Sequence, residues 1–192
     1  QPNRLKDLIG RRLPVAKSQG EVFFPSDLET PAATPRRYQF NQPFGLPVRY
    51  HDIKVFSEVS NLDLVEIHLS YKDLEVDLNQ VLPVRQNIGL VIHAPELFAG
   101  DHTLDLCTED SSYRNHSIAE LQRVIDISRD LRNRFQCSDP VLLVTNVGGF
   151  SEHHHLNRSE RKPLRERLIT SLKKINTAGE VETAIALMAK LL

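Results

Sequence analysis

Residues 88–93, Ile-Gly-Leu-Val-Ile-His, form a short apolar run that ends in a histidine and is followed at once by Ala94 and Pro95. A run of this length, stopped by a proline, is typical of a strand buried on both faces of a parallel sheet. In α/β barrels such strands carry polar side chains to the carboxyl edge of the sheet, where active sites are built. The run therefore predicts an α/β fold with His93 at a candidate site.

After residue 50 the chain alternates between apolar runs and helical patterns. The patterns predict strands at 64–69, 88–93 and 141–144 and helices at 52–60, 117–135 and 163–175. Ser117 and Glu120 have the spacing of a capping box, which predicts that a helix begins at Ser117. Pro163 suits the first turn of the next helix, and a last helix is expected over 181–192. Alternating strands and helices indicate a parallel sheet.

The first 50 residues differ from the rest of the chain. They are rich in proline, and stretches 20–25 and 30–37 resemble short strands and turns. We expect residues 1–50 to form a small β-rich module and residues 51–192 to form the α/β domain. A complete eight-stranded barrel takes about 250 residues, so the second part corresponds to about three or four βα units. The predicted fold is therefore a partial TIM-barrel-like arrangement, with an open sheet as the alternative.

The composition excludes several classes of protein. With a net charge of −1 and 26% charged residues, the chain offers no bulk attraction for nucleic acid or for an acidic membrane surface. No apolar run approaches the roughly 18 residues that a membrane span requires, and no signal-peptide pattern opens the chain. Two cysteines without CxxC spacing favour a reducing, cytoplasmic location. Because the chain begins with Gln1 rather than Met, we expect it to be a processed product or a piece of a longer chain.

Alternation along the strands selects five candidate site residues. Glu66 and His68 share one face of their strand, and His93 ends the next strand on the same side, with Glu96 after it. Asn146 follows the third strand. Imidazole and carboxylate groups suit zinc and manganese, and carboxylates with water suit magnesium. The sequence therefore predicts a divalent-metal or sugar-hydroxyl site, and the alternative is that Glu66 and His68 are hydrogen-bonded interior groups.

Other polar clusters point less clearly to a site. His153, His154 and His155 follow a glycine pair and are interpreted as a surface loop, from which one histidine could reach the site. Asp105 lies in the long loop after the second strand, which we interpret as an ordinary polar loop, the alternative being a lid over the substrate. The basic residues of 158–167 are interleaved with glutamates, which indicates a solvated helix face.

Several segments carry a resemblance to known proteins. Residues 65–74, 89–96 and 143–149 resemble the xylose-isomerase-like superfamily of sugar phosphate isomerase and epimerase barrels. Residues 10–17 and 20–23 are similar to the SAF module that precedes such a barrel in certain bacterial N-acetylneuraminate (sialic acid) synthase-type proteins. The order of parts therefore resembles the C-terminal part of such a synthase-type protein.

The resemblance implies metal-assisted proton transfer between adjacent carbons of a sugar or sugar phosphate, in sialic (nonulosonic) acid biosynthesis. It implies His93 as a ligand of a divalent metal (Mn, Mg or Zn) or of the substrate. From the residues themselves, we expect Glu66 and Glu96 as catalytic groups and His68 and Asn146 as substrate-binding groups. The family has a histidine where this chain has Asn146, and its later strands are not found in this sequence. The alternative is a non-catalytic sugar-binding or dimerisation module of a synthase-type protein. In either case we expect a homo-oligomer or part of a larger chain.

Overall fold

The computed structural model describes residues 5–13, 15–24, 27, 40–137, 140–151, 155–179 and 181–185. The chain divides into two units, Gln1–Gln39 and Phe40–Leu192. The division lies before the boundary that the composition placed near residue 50. The difference arises because the first strand of the α/β sheet begins at Gly45.

The first unit contains helix α1 (Leu5–Leu8) and turns, and its described residues include no strand. The strand expected over 20–25 is wrong for residues 20–24, which form a turn and irregular backbone. Glu21 accepts a hydrogen bond from the Ser18 amide at 2.8 Å, and Asp27 accepts one from the Phe24 amide at 2.7 Å. Such local side-chain bonds compete with strand pairing. The stretch 30–37 lies outside the described residues.

The second unit is built on a parallel five-stranded sheet with the order β1-β2-β3-β4-β5. The strands are β1 (Gly45–Val48), β2 (Leu64–His68), β3 (Gly89–His93), β4 (Val141–Thr145) and β5 (Val181–Ile185). The α-helices of this unit are α2 (Asp52–Val59), α3 (Leu78–Val81), α4 (Ser111–Arg132) and α5 (Arg158–Leu172). A doubly wound sheet reverses its strand order, whereas a barrel keeps consecutive order. The unit is therefore α/β and partially TIM-barrel-like, which confirms the predicted fold class.

Two strands differ from the sequence patterns. β1 lies in the proline-rich region, where Pro47 is tolerated because β1 is the outer strand of the described sheet. Residues 181–185 were expected to be helical, and this is wrong, because β5 pairs with β4 from Val181 opposite Val141 to Ile185 opposite Thr145. The pairing of a neighbouring strand has overridden the local preference. Residues 186–192 lie outside the described part of the chain.

The helices also begin earlier than their motifs indicated. Asp110 caps α4 by accepting hydrogen bonds from the amides of Ser112 at 2.8 Å and Tyr113 at 3.1 Å. Ser117 is therefore inside the helix, fully buried, and the predicted start there is wrong. Asn157 caps α5 in a reciprocal capping box, which places Pro163 inside the helix rather than at its start. None of the helices in the described residues has the length and apolarity of a membrane span.

The hydrophobic core lies between one face of the sheet and the helices. Its largest fully buried side chains include Ile67, Ile92 and Leu143 from the strands and Leu121, Ile125 and Leu131 from α4. Because successive strand residues point to opposite faces, the alternate residues lie on the other face. That second face is half-buried at most positions and includes Leu142, which is 37% exposed. The polar candidates Glu66, His68 and His93 lie on it.

Candidate functional site

His68 and His93 are the last residues of β2 and β3, and they are partners in the register of the two strands. Both are half-buried, while Ile67 and Ile92, which precede them, face the core. The two imidazole rings stack with their centroids 4.5 Å apart and their planes 16° from parallel. The parallel register therefore brings together two histidines that are 25 residues apart in the chain.

Each imidazole is oriented by one hydrogen bond. His68 Nε2 lies 3.0 Å from Glu66 Oε1, and His93 Nδ1 lies 3.0 Å from the carbonyl oxygen of Ala94. An ionised carboxylate and a carbonyl only accept, so these two nitrogens carry the donated protons. In the neutral rings, the lone pairs are then on His68 Nδ1 and His93 Nε2. Each histidine therefore has one ring nitrogen whose lone pair can accept a hydrogen bond from a ligand.

Arg49 also belongs to this site. It directly follows β1, and its Nη1 donates to the backbone oxygen of His68 at 2.5 Å and lies 3.4 Å from Asp73 Oδ2. Asp73 in turn accepts from the amide and the hydroxyl of Ser70, each at 2.7 Å. A guanidinium is thus fixed beside His68 with its side chain 47% exposed. The sequence reasoning missed Arg49 because it did not detect β1.

A cleft of about 440 Å³ lies at this edge of the sheet, with Arg49, His68, His93 and Glu96 in its wall. Glu96 is exposed and makes no hydrogen bond or ion pair with any residue that the structure describes. Glu66 is not among the described residues that line the cleft, and it is connected to them by its hydrogen bond with His68. The structure thus brings Arg49, Glu66, His68 and His93 together and places Glu96 at the rim.

Asn146 lies further along the sheet edge than the two histidines. In the strand register, His68, His93 and Val144 lie side by side in one row across the sheet. Asn146 is two positions beyond Val144 along the chain, and therefore beyond this row. The described residues that line the cleft do not include Asn146. Its Oδ1 atom is buried without a hydrogen-bond partner among the described residues. The register separates Asn146 from the row that contains the histidines.

The loop after β4 is held by Asp105, in the loop after β3. Asp105 Oδ1 accepts hydrogen bonds from the amides of Cys107 at 2.8 Å and Gly149 at 3.1 Å. Gly148 has φ +81°, and a Cβ atom built on it would lie 2.4 Å from the Cα atom of Asp105. Asp105 therefore clamps two loops together, a structural role that its polar sequence context did not reveal.

A buried polar cluster supports the same loops from α4. His102 is 7% exposed, and its Nε2 lies 3.0 Å from Ser117 Oγ. Ser117 Oγ also accepts a hydrogen bond from the Asp105 amide at 3.0 Å, so one hydroxyl joins α4 to both His102 and the loop that contains Asp105. Burial lowers the pKa of His102 from its ordinary 6.5, the nearby His116 lowers it further, and Glu120 acts in the opposite direction.

This depressed pKa predicts that acid weakens the fold. Below about pH 6.5, the unfolded chain binds a proton at His102 that the folded chain does not, so the free energy of unfolding falls until the folded pKa is passed. We expect a lower urea midpoint at about pH 5.5 than at about pH 7.5. The fall should be smaller in His102→Gln and unchanged in a variant of exposed His51, His51→Gln. An equal fall in all three proteins would contradict the assignment.

The metal prediction rests on His93. Among the described residues, no three His, Cys, Asp or Glu side chains are grouped closely enough to hold a metal ion. The rings of His68 and His93 are nearly parallel, so their in-plane lone pairs do not converge on one ion at about 2.0–2.1 Å. The described donors therefore do not fit a resident ion, and the divalent metal at His93 stays a prediction. His155 is exposed, and His153 and His154 lie outside the described residues.

Comparison with solved structures gives a distant likeness. No family model matches the chain, and no curated protein matches it. Among solved structures, the crystal structure of a D-tagatose 3-epimerase-like protein is similar to 73% of this chain, with 17% sequence identity and a TM-score of 0.45. The chain spans about half, 51%, of the length of that structure. A likeness at this identity and score identifies no family and assigns no activity.

Proposed function

We propose that the chain binds a sugar at the carboxyl edge of its sheet and moves a proton between adjacent sugar carbons, as sugar isomerases do. The observation that carries the proposal is the Glu66–His68–His93 arrangement at the ends of two register-paired parallel strands. This is the edge at which barrel enzymes place their catalytic side chains.

The residues suggest a division of roles. Glu66 accepts the proton from the carbon next to the carbonyl, which leaves an enediolate, and delivers it to the former carbonyl carbon. The hydroxyl proton of the first carbon passes to the former carbonyl oxygen in the same exchange. The hydrogen bond of Glu66 with His68 holds the carboxylate in place. Arg49, fixed beside His68, stabilises the negative charge that develops on the carbonyl oxygen. His68 Nδ1 and His93 Nε2 accept hydrogen bonds from sugar hydroxyls. Each role uses a group that the protein already orients.

Further parts of the proposal come from the sequence. The resemblance supports an SAF-like module in the N-terminal region and a role in sialic (nonulosonic) acid biosynthesis, and the two cysteines without CxxC spacing support a cytoplasmic location. We also propose assembly as a homo-oligomer or within a larger chain. A bound Mn, Mg or Zn ion would polarise the sugar carbonyl. The described donors do not converge on one ion, so the proton transfer proposed above uses side chains alone.

A non-catalytic sugar-binding or dimerisation module is the second candidate. It is favoured by the apolar character of the same sheet face on the next strands, where Val91, Leu142 and Val144 are the neighbours of the polar row. Leu142 is 37% exposed there, and among the described strands β4 contributes no acid or base to this face. This candidate predicts sugar binding without proton exchange.

The binding part of the proposal can be tested through the histidine rings. We expect titration with a panel of neutral hexoses and hexose phosphates to shift the ring NMR signals of His68 and His93 together, because their lone pairs face the cleft. The signals of His116, exposed on α4 and away from both cavities, should not move. His93→Ala should weaken binding by about tenfold or more, the loss of a desolvated hydrogen bond. If no sugar moves the His68 and His93 signals, or if His116 responds equally, the site is not a sugar site.

A further inference from the structure

A second cavity, of about 540 Å³, adjoins the histidine cleft on the β1 side. Arg49 and Ser70 line both cavities, so a ligand of sufficient length can extend from one to the other. Tyr50, His51 and Asp73 complete the polar part of the wall of the second cavity. The roles proposed above for proton transfer use none of these three residues.

Tyr50 carries an unsatisfied donor in this wall. The residue is 8% exposed, and its hydroxyl is buried with no hydrogen-bond partner among the described residues. Burial, and then the charge of Asp73, raise the pKa of the Tyr50 phenol, so the hydroxyl keeps its proton. A buried hydroxyl without a partner destabilises the fold, and such groups in native proteins call for an explanation.

Asp73 supplies the matching acceptor. Its Oδ2 atom accepts from the Ser70 amide and hydroxyl and faces Arg49, while no hydrogen bond to its Oδ1 is found in the described part of the chain. The Arg49 guanidinium and the Asp73 carboxylate carry opposite charges and form an ion pair at 3.4 Å. An anion in this cavity would be repelled by Asp73, and a cation would be repelled by Arg49. A neutral hydroxyl, which donates and accepts at once, meets no such penalty.

We propose that the cavity of Arg49, Tyr50 and Asp73 is a hydroxyl-binding subsite for a neutral, polyhydroxylated segment of the ligand. The ligand accepts from the Tyr50 hydroxyl and donates to Asp73 Oδ1. The inference rests on the proposed function, because it extends the same sugar from the histidine cleft into the second cavity. The Tyr50 hydroxyl is buried in the structure, so the ligand reaches it after a side-chain rearrangement in the wall of the second cavity.

Tyr50→Phe tests the subsite with two readouts that move in opposite directions. Removing a buried hydroxyl that has no partner should raise Tm by about 2–4 °C. The same change should weaken the binding of a neutral hexose about tenfold, because one hydrogen bond to the ligand is lost. A lower Tm would overturn the proposal, since it would mean that the hydroxyl is bonded within the folded protein, for example through a buried water. An unchanged hexose affinity would also overturn it.

Two further probes separate this inference from the proposed function. Glycerol is too short to span both cavities, and we expect it to shift the amide signal of His51, which lines the second cavity and not the histidine cleft, in the wild-type chain and in His93→Ala, but not in Tyr50→Phe. If the hexoses leave the rings of His68 and His93 unmoved while glycerol behaves in this way, the subsite stands and the proposed function fails. If inorganic phosphate competes with glycerol for the His51 amide signal, the neutral ligand class is wrong.

Discussion

Gly148→Ala is expected to lower the free energy of unfolding by about 2–5 kcal/mol, from about 1–2 kcal/mol of left-handed backbone strain and about 1–3 kcal/mol of overpacking. The strain arises because Gly148 has φ +81°. The overpacking arises because the new Cβ would lie 2.4 Å from the Cα atom of Asp105, and backbone cannot move aside as a side-chain tip can. The loss is large against the roughly 5–15 kcal/mol of a typical domain.

Gly179 provides the matched control. It has φ +74°, but a Cβ there meets no atom within 4 Å, so Gly179→Ala should cost only the strain of about 1–2 kcal/mol. Urea unfolding of both variants measures the difference. An equal loss in the two variants would show that Asp105 and Gly148 are not in close contact, and the loop clamp would be wrong.

Glu66→Gln is expected to reduce proton exchange on the bound sugar by about 10²–10⁴-fold, the usual contribution of a positioned general base. The amide oxygen of glutamine can still accept from His68 Nε2, so the ring should keep its orientation and sugar affinity should change little. The loss should therefore appear in kcat rather than in binding. The exchange is followed as deuterium incorporated from heavy water into the sugar.

Two other carboxylates test whether Glu66 is the general base. Glu58, exposed on α2, is the control, and Glu58→Gln should leave the exchange rate unchanged. Glu96→Gln should have a smaller effect than Glu66→Gln, because Glu96 lies at the rim of the cleft. A larger effect of Glu96→Gln would make Glu96 the base and Glu66 a group that orients His68.

The sequence patterns identified the central strands because each places alternate apolar residues on the core-facing side of the sheet. The pattern alternates with polar residues in β2 and is a continuous apolar run in β3 and β4, and the positions of the three strands were predicted within one or two residues. β1 was not predicted, because a proline inside a short apolar stretch argues against a strand. Pro47 is compatible with β1 only because β1 is the outer strand of the described sheet, and the local sequence does not show that position. β5 was missed for a related reason, since its pairing with β4 is a tertiary contact.

Only those site residues that follow from the alternation of side chains along a strand and from the parallel register could be predicted from the sequence. Glu66 and His68 share a face by alternation, and the parallel register then places His93 beside His68. Arg49 depends on β1 and was missed with it. Asn146 was placed too near the histidines because the offset between β3 and β4 is set by packing rather than by any local signal.

Short motifs were less reliable than strand patterns. Ser117 and Glu120 match a capping box, yet Ser117 is buried in the middle of α4, where its hydroxyl bonds His102 and the Asp105 amide. The true cap is Asp110, seven residues earlier. A capping motif describes a helix start only where the chain before it is not helical, and the four-residue pattern does not contain that information.

The most direct test of the account is to incubate the wild-type chain in heavy water with each sugar of the neutral hexose and hexose phosphate panel and to follow deuterium incorporation by NMR. The account predicts that one neutral sugar gains deuterium on the carbon next to its carbonyl, and that Glu66→Gln suppresses the gain. If a sugar binds at His68 and His93 but gains no deuterium, the proton-transfer claim is contradicted and the non-catalytic binding module becomes the function.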